Sequence, residues 1–129
     1  MRGRQLLEHA FRKHGISDVV RIESHIRGCD LSFPVVEQLF PVGETFAVWV
    51  RDGGVPGKYG APVDQDPGSI GITIVGRHRE VYRVLEPLLV VRCTAATFPS
   101  GVVDGVGGSG GGTQYVLPPS WLKSVERIA

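Results

Sequence analysis

Thr45-Phe46-Ala47-Val48-Trp49-Val50-Arg51 has the β-branched and aromatic content of a strand, and the Gly53-Gly54 pair after it closes it with a turn. Side chains alternate across a strand, so Thr45, Ala47, Trp49 and Arg51 share one face and Phe46, Val48 and Val50 the other. Leu88-Leu89-Val90-Val91-Arg92-Cys93-Thr94-Ala95 reads as a second, buried strand. Val35 to Phe40, before the turn Pro41-Val42-Gly43-Glu44, and Thr113 to Leu117, before Pro118-Pro119, extend the pattern. Ile70 to Ile74 reads as a strand or as the end of a loop, and Ser120 to Ile128 as a short helix or a strand. Ahead of these runs, Leu6, Leu7, Ala10 and Phe11 recur at helical spacing between Gln5 and His14, with Gly15 placed to end the helix. Asp18 either caps a short second helix through Val19-Val20-Arg21-Ile22 or precedes a strand. The predicted fold class is α+β, one domain over 1–129. A helical segment, 1–26, leads into a β-rich body, 27–129, with a mostly antiparallel or mixed sheet.

The 129 residues are the size of one domain. Basic and acidic residues number 14 and 13, so the net charge of +1 offers no general attraction to nucleic acid or a membrane surface. No apolar run approaches the ~20 residues of a membrane helix. Glu8 and His9 interrupt the N-terminus before a signal-peptide core could form, which predicts no export signal. With 18 Gly and 9 Pro, the pair makes up about a fifth of the chain against roughly 12% on average. They cluster at 53–71 and 101–112 and predict two long loops, Asp52 to Ser69 and Thr97 to Gly112. Cys29 and Cys93 form no CxxC pair and read as two reduced thiols, at least one in the core, or as a disulfide in an oxidising compartment.

The glycines before Thr113 lead into a strand, not into a Lys-Ser/Thr and a helix, so neither a P-loop nor a dinucleotide fingerprint is present. They are either a flexible linker or a place where backbone approaches a ligand while Gln114 projects from a rigid element. Arg51, at a strand end beside a glycine loop, is either solvated or a bidentate phosphate ligand. Tyr59 and Tyr115 either stack on a planar ring or fill the rim of the core. Arg77, His78 and Arg79 add local positive charge. The four histidines are scattered, and a surface reading suffices for His9, His14 and His25. No HExxH, paired Cys/His spacing or GxSxG occurs, so a metal site and a hydrolase elbow are not predicted.

One ordered set of short motifs goes further. It runs from Gly28-Cys29-Asp30-Leu31-Ser32-Phe33-Pro34-Val35 through Val48-Trp49-Val50-Arg51, Gly57-Lys58-Tyr59 and Pro67-Gly68-Ser69-Ile70-Gly71-Ile72 to Gly76-Arg77. Tyr82, Arg92-Cys93-Thr94-Ala95-Ala96 and Gly110-Gly111-Gly112-Thr113-Gln114-Tyr115 complete it. The set resembles the polymorphic toxin type 46 domain, a C-terminal module of bacterial competition effectors, over roughly residues 27 to 122. Its last block is also similar to the necrotizing-toxin type of NAD glycohydrolase.

The resemblance implies an ADP-ribosyltransferase-like fold, with two small sheets flanking a cleft. It implies hydrolysis of NAD+ or NADP+ as substrate, with no further cofactor. Gln114 would stand where transferases of this fold place their catalytic Glu. Arg51 would contact the pyrophosphate or ribose. Tyr59 and Arg77 would lie near the loop covering the substrate, with Thr113 and Tyr115 beside Gln114. Thr94 would occupy the strand where related folds carry Ser-Thr-Ser, here Cys93-Thr94-Ala95. Gly112 stands two residues before Gln114, in place of the paired Glu that arginine-directed transferases use, which favours water as acceptor. The resemblance further implies a cognate immunity protein as partner and a secreted effector module acting in the target-cell cytoplasm. Mono-ADP-ribosyl transfer to protein or RNA and a non-catalytic interaction module are the alternatives.

Overall fold

The computed structural model describes residues 2–97 and 110–129. Helix α1 spans Gly3–Lys13 and α2 Val19–Ile26. The predicted start at Gln5 lies inside α1, because the Gln5 side chain turns back to accept the Arg2 amide. Gly15 follows the helix with a φ of +83°, a left-handed conformation that glycine adopts without strain. The ambiguity at 18–22 resolves as helix. Asp18 Oδ1 accepts the Val20 amide at 2.8 Å, and Ile22 and Ile26 give the turn that follows an apolar stripe.

Among the described residues seven strands follow: β1 (Val36–Phe40), β2 (Thr45–Arg51), β3 (Tyr59–Gly60), β4 (Arg77–Val84), β5 (Leu88–Thr94), β6 (Thr113–Val116) and β7 (Val125–Arg127). They form two sheets, ordered β1-β5-β6-β3 and β2-β4-β7, with every pairing antiparallel. Ala47 and Ala61 exchange backbone hydrogen bonds of 2.8 and 2.9 Å and tie β2 to the segment after β3. Ile70 to Ile74 ends a loop, because the backbone makes a 3-10 turn over Pro67–Ile70 and reverses at Gly71. The C-terminal segment holds both predicted alternatives in sequence, a 3-10 turn over Trp121–Ser124 and then β7.

Alternation sorts the side chains as the sequence requires. Phe46, Val48 and Val50 of β2 face the other sheet and pack with Phe40, Leu88, Val90, Tyr115 and Leu117. The opposite face of the first sheet, carrying Cys93 and Val116, packs on α1 and α2 through Leu7, Phe11, Ile22 and Ile26. The helices and the second sheet therefore cover both faces of the first sheet, and a cleft is left where α2, β2, β3 and β6 converge.

Outside the core, His78 bridges two carboxylates, with Asp52 Oδ1 at 2.9 Å and Glu80 Oε2 at 2.7 Å. Its pKa is raised by the hydrogen bond to Asp52 and then by that to Glu80. A raised histidine adds stability below its unfolded value of about 6.5 and loses it as pH climbs through the folded value. Glu80, held low by the Tyr82 hydroxyl and by His78, acts only in the acid range. The His78 contribution to the unfolding midpoint is therefore expected to fall between about pH 6 and pH 8, so the gap between wild type and Asp52→Asn should narrow over that range in a thermal melt series.

Candidate active site

The cleft encloses a cavity of about 230 Å³. α2 and its exit contribute Ser24, His25 and Gly28, β2 contributes Ala47 and Trp49, and β3 and the residue after it contribute Tyr59, Gly60 and Ala61. The turn Ile70-Gly71-Ile72 closes one side, and Gln114 of β6 lies against the cavity from within the sheet. Gln114 is buried, and its amide nitrogen donates to Cys29 Sγ at 3.6 Å. A thiol sulfur is a weak acceptor, so this donor is held in position by a contact that a ligand oxygen can outcompete.

Tyr59 and His25 form one wall. The ring of His25 stacks on Phe11 with centroids 5.0 Å apart. Burial, and then Lys58, Arg21 and His14, lower its pKa, so it is neutral at pH 7. Burial pushes the Tyr59 phenol up, so it keeps its proton, and its hydroxyl is hydrogen-bonded with His25 Nδ1 at 2.9 Å. The surface reading of His25 is thereby corrected. It sits three residues after Ile22 on the buried stripe of α2, which was the available signal. His14 is likewise held, by its Nε2 against the Leu117 carbonyl at 2.6 Å.

Trp49, Tyr59 and Ile72 also line a second cavity, of about 390 Å³. Its walls carry Arg51, Lys58 and Arg77. Arg51 and Arg77 are direct partners across β2 and β4, and Trp49 opposes Arg79 on the same face. Like charges placed opposite each other disfavour the sheet. Among the described residues no Asp or Glu lines either cavity. The arrangement is an uncharged, partly aromatic pocket beside a cationic vestibule that shares three of its wall residues.

The predicted site residues divide accordingly. Gln114 and Tyr59 share the inner pocket; Arg51 and Arg77 share the vestibule, which Tyr59 also reaches. Thr94 and Thr113 face each other across β5 and β6 outside both cavities, and the Thr113 amide donates to Gln65 Oε1 at 3.0 Å. Tyr115 points away from Gln114, as alternation on β6 demands, and packs edge-on against Phe40 in the core. Of its two sequence readings, core filling is the one realised. Sequence reasoning missed Lys58 and the turn at 70–72 as pocket walls. The run 101–109 of the glycine loop, with Asp104, lies outside the described residues. Gly112 is described and decisive. A Cβ there would lie 2.4 Å from Ser69 Oγ and 2.9 Å from the Ser69 carbonyl oxygen, so no Glu fits in its place.

Among the described residues no group of three or more His, Cys, Asp and Glu is placed to hold a metal, and no helix is long and apolar enough to cross a membrane. No family model matches the sequence, and no curated protein matches it. A solved structure does match. The chain is similar to one from the structure of Tse6 in complex with Tsi6, with a TM-score of 0.73 over 99% of this chain and 96% of that one, at 19% identity. That likeness establishes the α+β fold of two N-terminal helices and two small antiparallel sheets.

Proposed function

We propose that the chain is an NAD(P)+ glycohydrolase toxin of the polymorphic toxin type 46 kind, with an ADP-ribosyltransferase-like fold that works as one domain over 1–129. The observation that carries this reading is the pair of neighbouring cavities that share Trp49, Tyr59 and Ile72 as walls. An uncharged pocket fits a planar nicotinamide with its ribose, and a vestibule lined by three cations and, among the described residues, no carboxylate fits the pyrophosphate.

Cleavage of the nicotinamide–ribose bond builds oxocarbenium character on the ribose, and nicotinamide leaves without a strong acid. What the protein supplies is grip and orientation. Gln114 would donate its amide to a ribose hydroxyl in place of Cys29 Sγ. Trp49 and Tyr59 would confine the nicotinamide ring. Arg51 and Arg77 would anchor the pyrophosphate and be relieved of their mutual repulsion. Without a carboxylate at 112 the group that arginine-directed transferases aim at an acceptor is missing, which supports water as the nucleophile. Thr94 and Thr113 would shape the strand pair that carries Gln114, not touch substrate. The likeness to a chain of a two-protein complex supports a cognate immunity protein that covers the cleft, and a secreted effector module acting in the target-cell cytoplasm.

Binding tests the reading without turnover. A hydrolysis-resistant carbocyclic NAD+ analogue should bind the wild type, and the Arg51→Ala/Arg77→Ala double variant about ten-fold or more weakly, with a shallower salt dependence. Equal affinity for both proteins would contradict it.

A further inference from the structure

Two buried thiols lie behind the pocket. Cys29 follows α2 and Cys93 lies on β5, 64 residues apart in sequence, with their Sγ atoms 2.8 Å apart. The backbone holds them there. The Asp30 amide donates to the Thr94 carbonyl at 2.8 Å and the Ala96 amide to the Gly28 carbonyl at 3.0 Å, so the segment 28–30 runs antiparallel beside the end of β5. Cys29 is the bridge partner of Ala95, and Cys93, two residues earlier, projects on the same face as Ala95. The two side chains are thus diagonal neighbours with nothing between the sulfurs.

We propose that Cys29 and Cys93 form a reversible dithiol–disulfide site that fastens the exit of α2 to β5. Bond formation needs less than about 1 Å of closure, toward an S–S bond of ~2.05 Å. The oxidant is a low-molecular-weight disulfide. The Cys29 thiolate attacks one of its sulfurs and expels a thiolate, leaving a mixed disulfide on Cys29. Cys93 gives up its proton, attacks the Cys29 sulfur and expels the second thiolate. Two protein thiols and one disulfide become one protein disulfide and two small thiols. Cys29 is suited to the first step, since its contact with Cys93 lowers its pKa, whereas that same contact and burial raise Cys93. The pairing is independent of what the pocket binds. It would let the chain be locked in an oxidising compartment and released in a thiol-rich one.

The test exposes the folded full chain to oxidised glutathione, then alkylates and digests it. The expected product is a linked Cys29–Cys93 peptide pair with the loss of two hydrogens. The thermal midpoint should rise by about 5 °C or more over the dithiothreitol-treated protein, because the crosslink closes a long loop in the unfolded chain. Cys29→Ala should show no such redox difference. Two alkylated thiols, a persistent glutathione adduct, or a link that leaves the midpoint unchanged would each overturn the proposal.

Discussion

Gln114→Ala is expected to lower nicotinamide release at saturating NAD+ by about 100-fold or more, the scale seen when one positioned donor to a developing transition-state charge is removed. The loss should fall on kcat, because the amide would grip the ribose most strongly as the glycosidic bond opens. The rest of the pocket is built from other elements, α2, β2, β3 and the turn at 70–72, and stays in place. Affinity for the carbocyclic analogue should therefore change little. Steady-state kinetics on the purified variant check this. A variant that keeps wild-type kcat would remove Gln114 from the site. Folding is a separate matter, and a melt of the same sample should show a cost within the ~0.5–3 kcal/mol usual for a single substitution.

Phe46→Ala should have the largest effect on stability. Phe46 is fully buried between the two sheets, with ring centroids 5.8 Å from Phe40, 6.0 Å from Tyr82 and 5.6 Å from Trp121. It also lies against the backbone of β3, where a Cβ on Gly60 would come within 3.3 Å of it. Truncation leaves a cavity that three rigid aromatic rings cannot collapse into, and a cost of ~3–5 kcal/mol is expected. That is a large part of the ~5–15 kcal/mol available to a domain. A urea titration measures it directly. Val55→Ala, at a position 84% exposed, is the matching control and should stay within ~0.5 kcal/mol.

The strand at Thr45–Arg51 was legible because its two faces differ in chemistry, and the structure sets one against the core and the other toward the cleft. The strand at Leu88–Thr94 was legible from its apolar run, though its burial alternates, with Leu88, Val90 and Cys93 buried and Leu89 and Arg92 exposed. The second helix was not, since Val19 and Val20 favour a strand locally and only the Asp18 cap and the tertiary contacts of Ile22 and Ile26 settle it. β3 is two residues long and exists only because β6 pairs with it, so nothing local announces it. Within the site, Gln114 was legible beside the glycine run, Tyr59 as a ring that could stack and Arg51 by its place at a strand end, and the family resemblance added their roles. Tyr115 was misled by adjacency: neighbours in a strand face opposite ways. His25 was hidden because its partner, Tyr59, is 34 residues away. The role of Gly112 needed three dimensions altogether, since the atom that excludes a side chain belongs to Ser69.

The most direct test of the account is free nicotinamide released from NAD+ and NADP+ by the purified wild-type chain, with adenine-labelled substrate and added protein and RNA in the same reaction. The account predicts steady release that continues without an acceptor, with all label recovered as small-molecule ADP-ribose or its phosphate. No release from either dinucleotide, or label retained on protein or RNA, would contradict it.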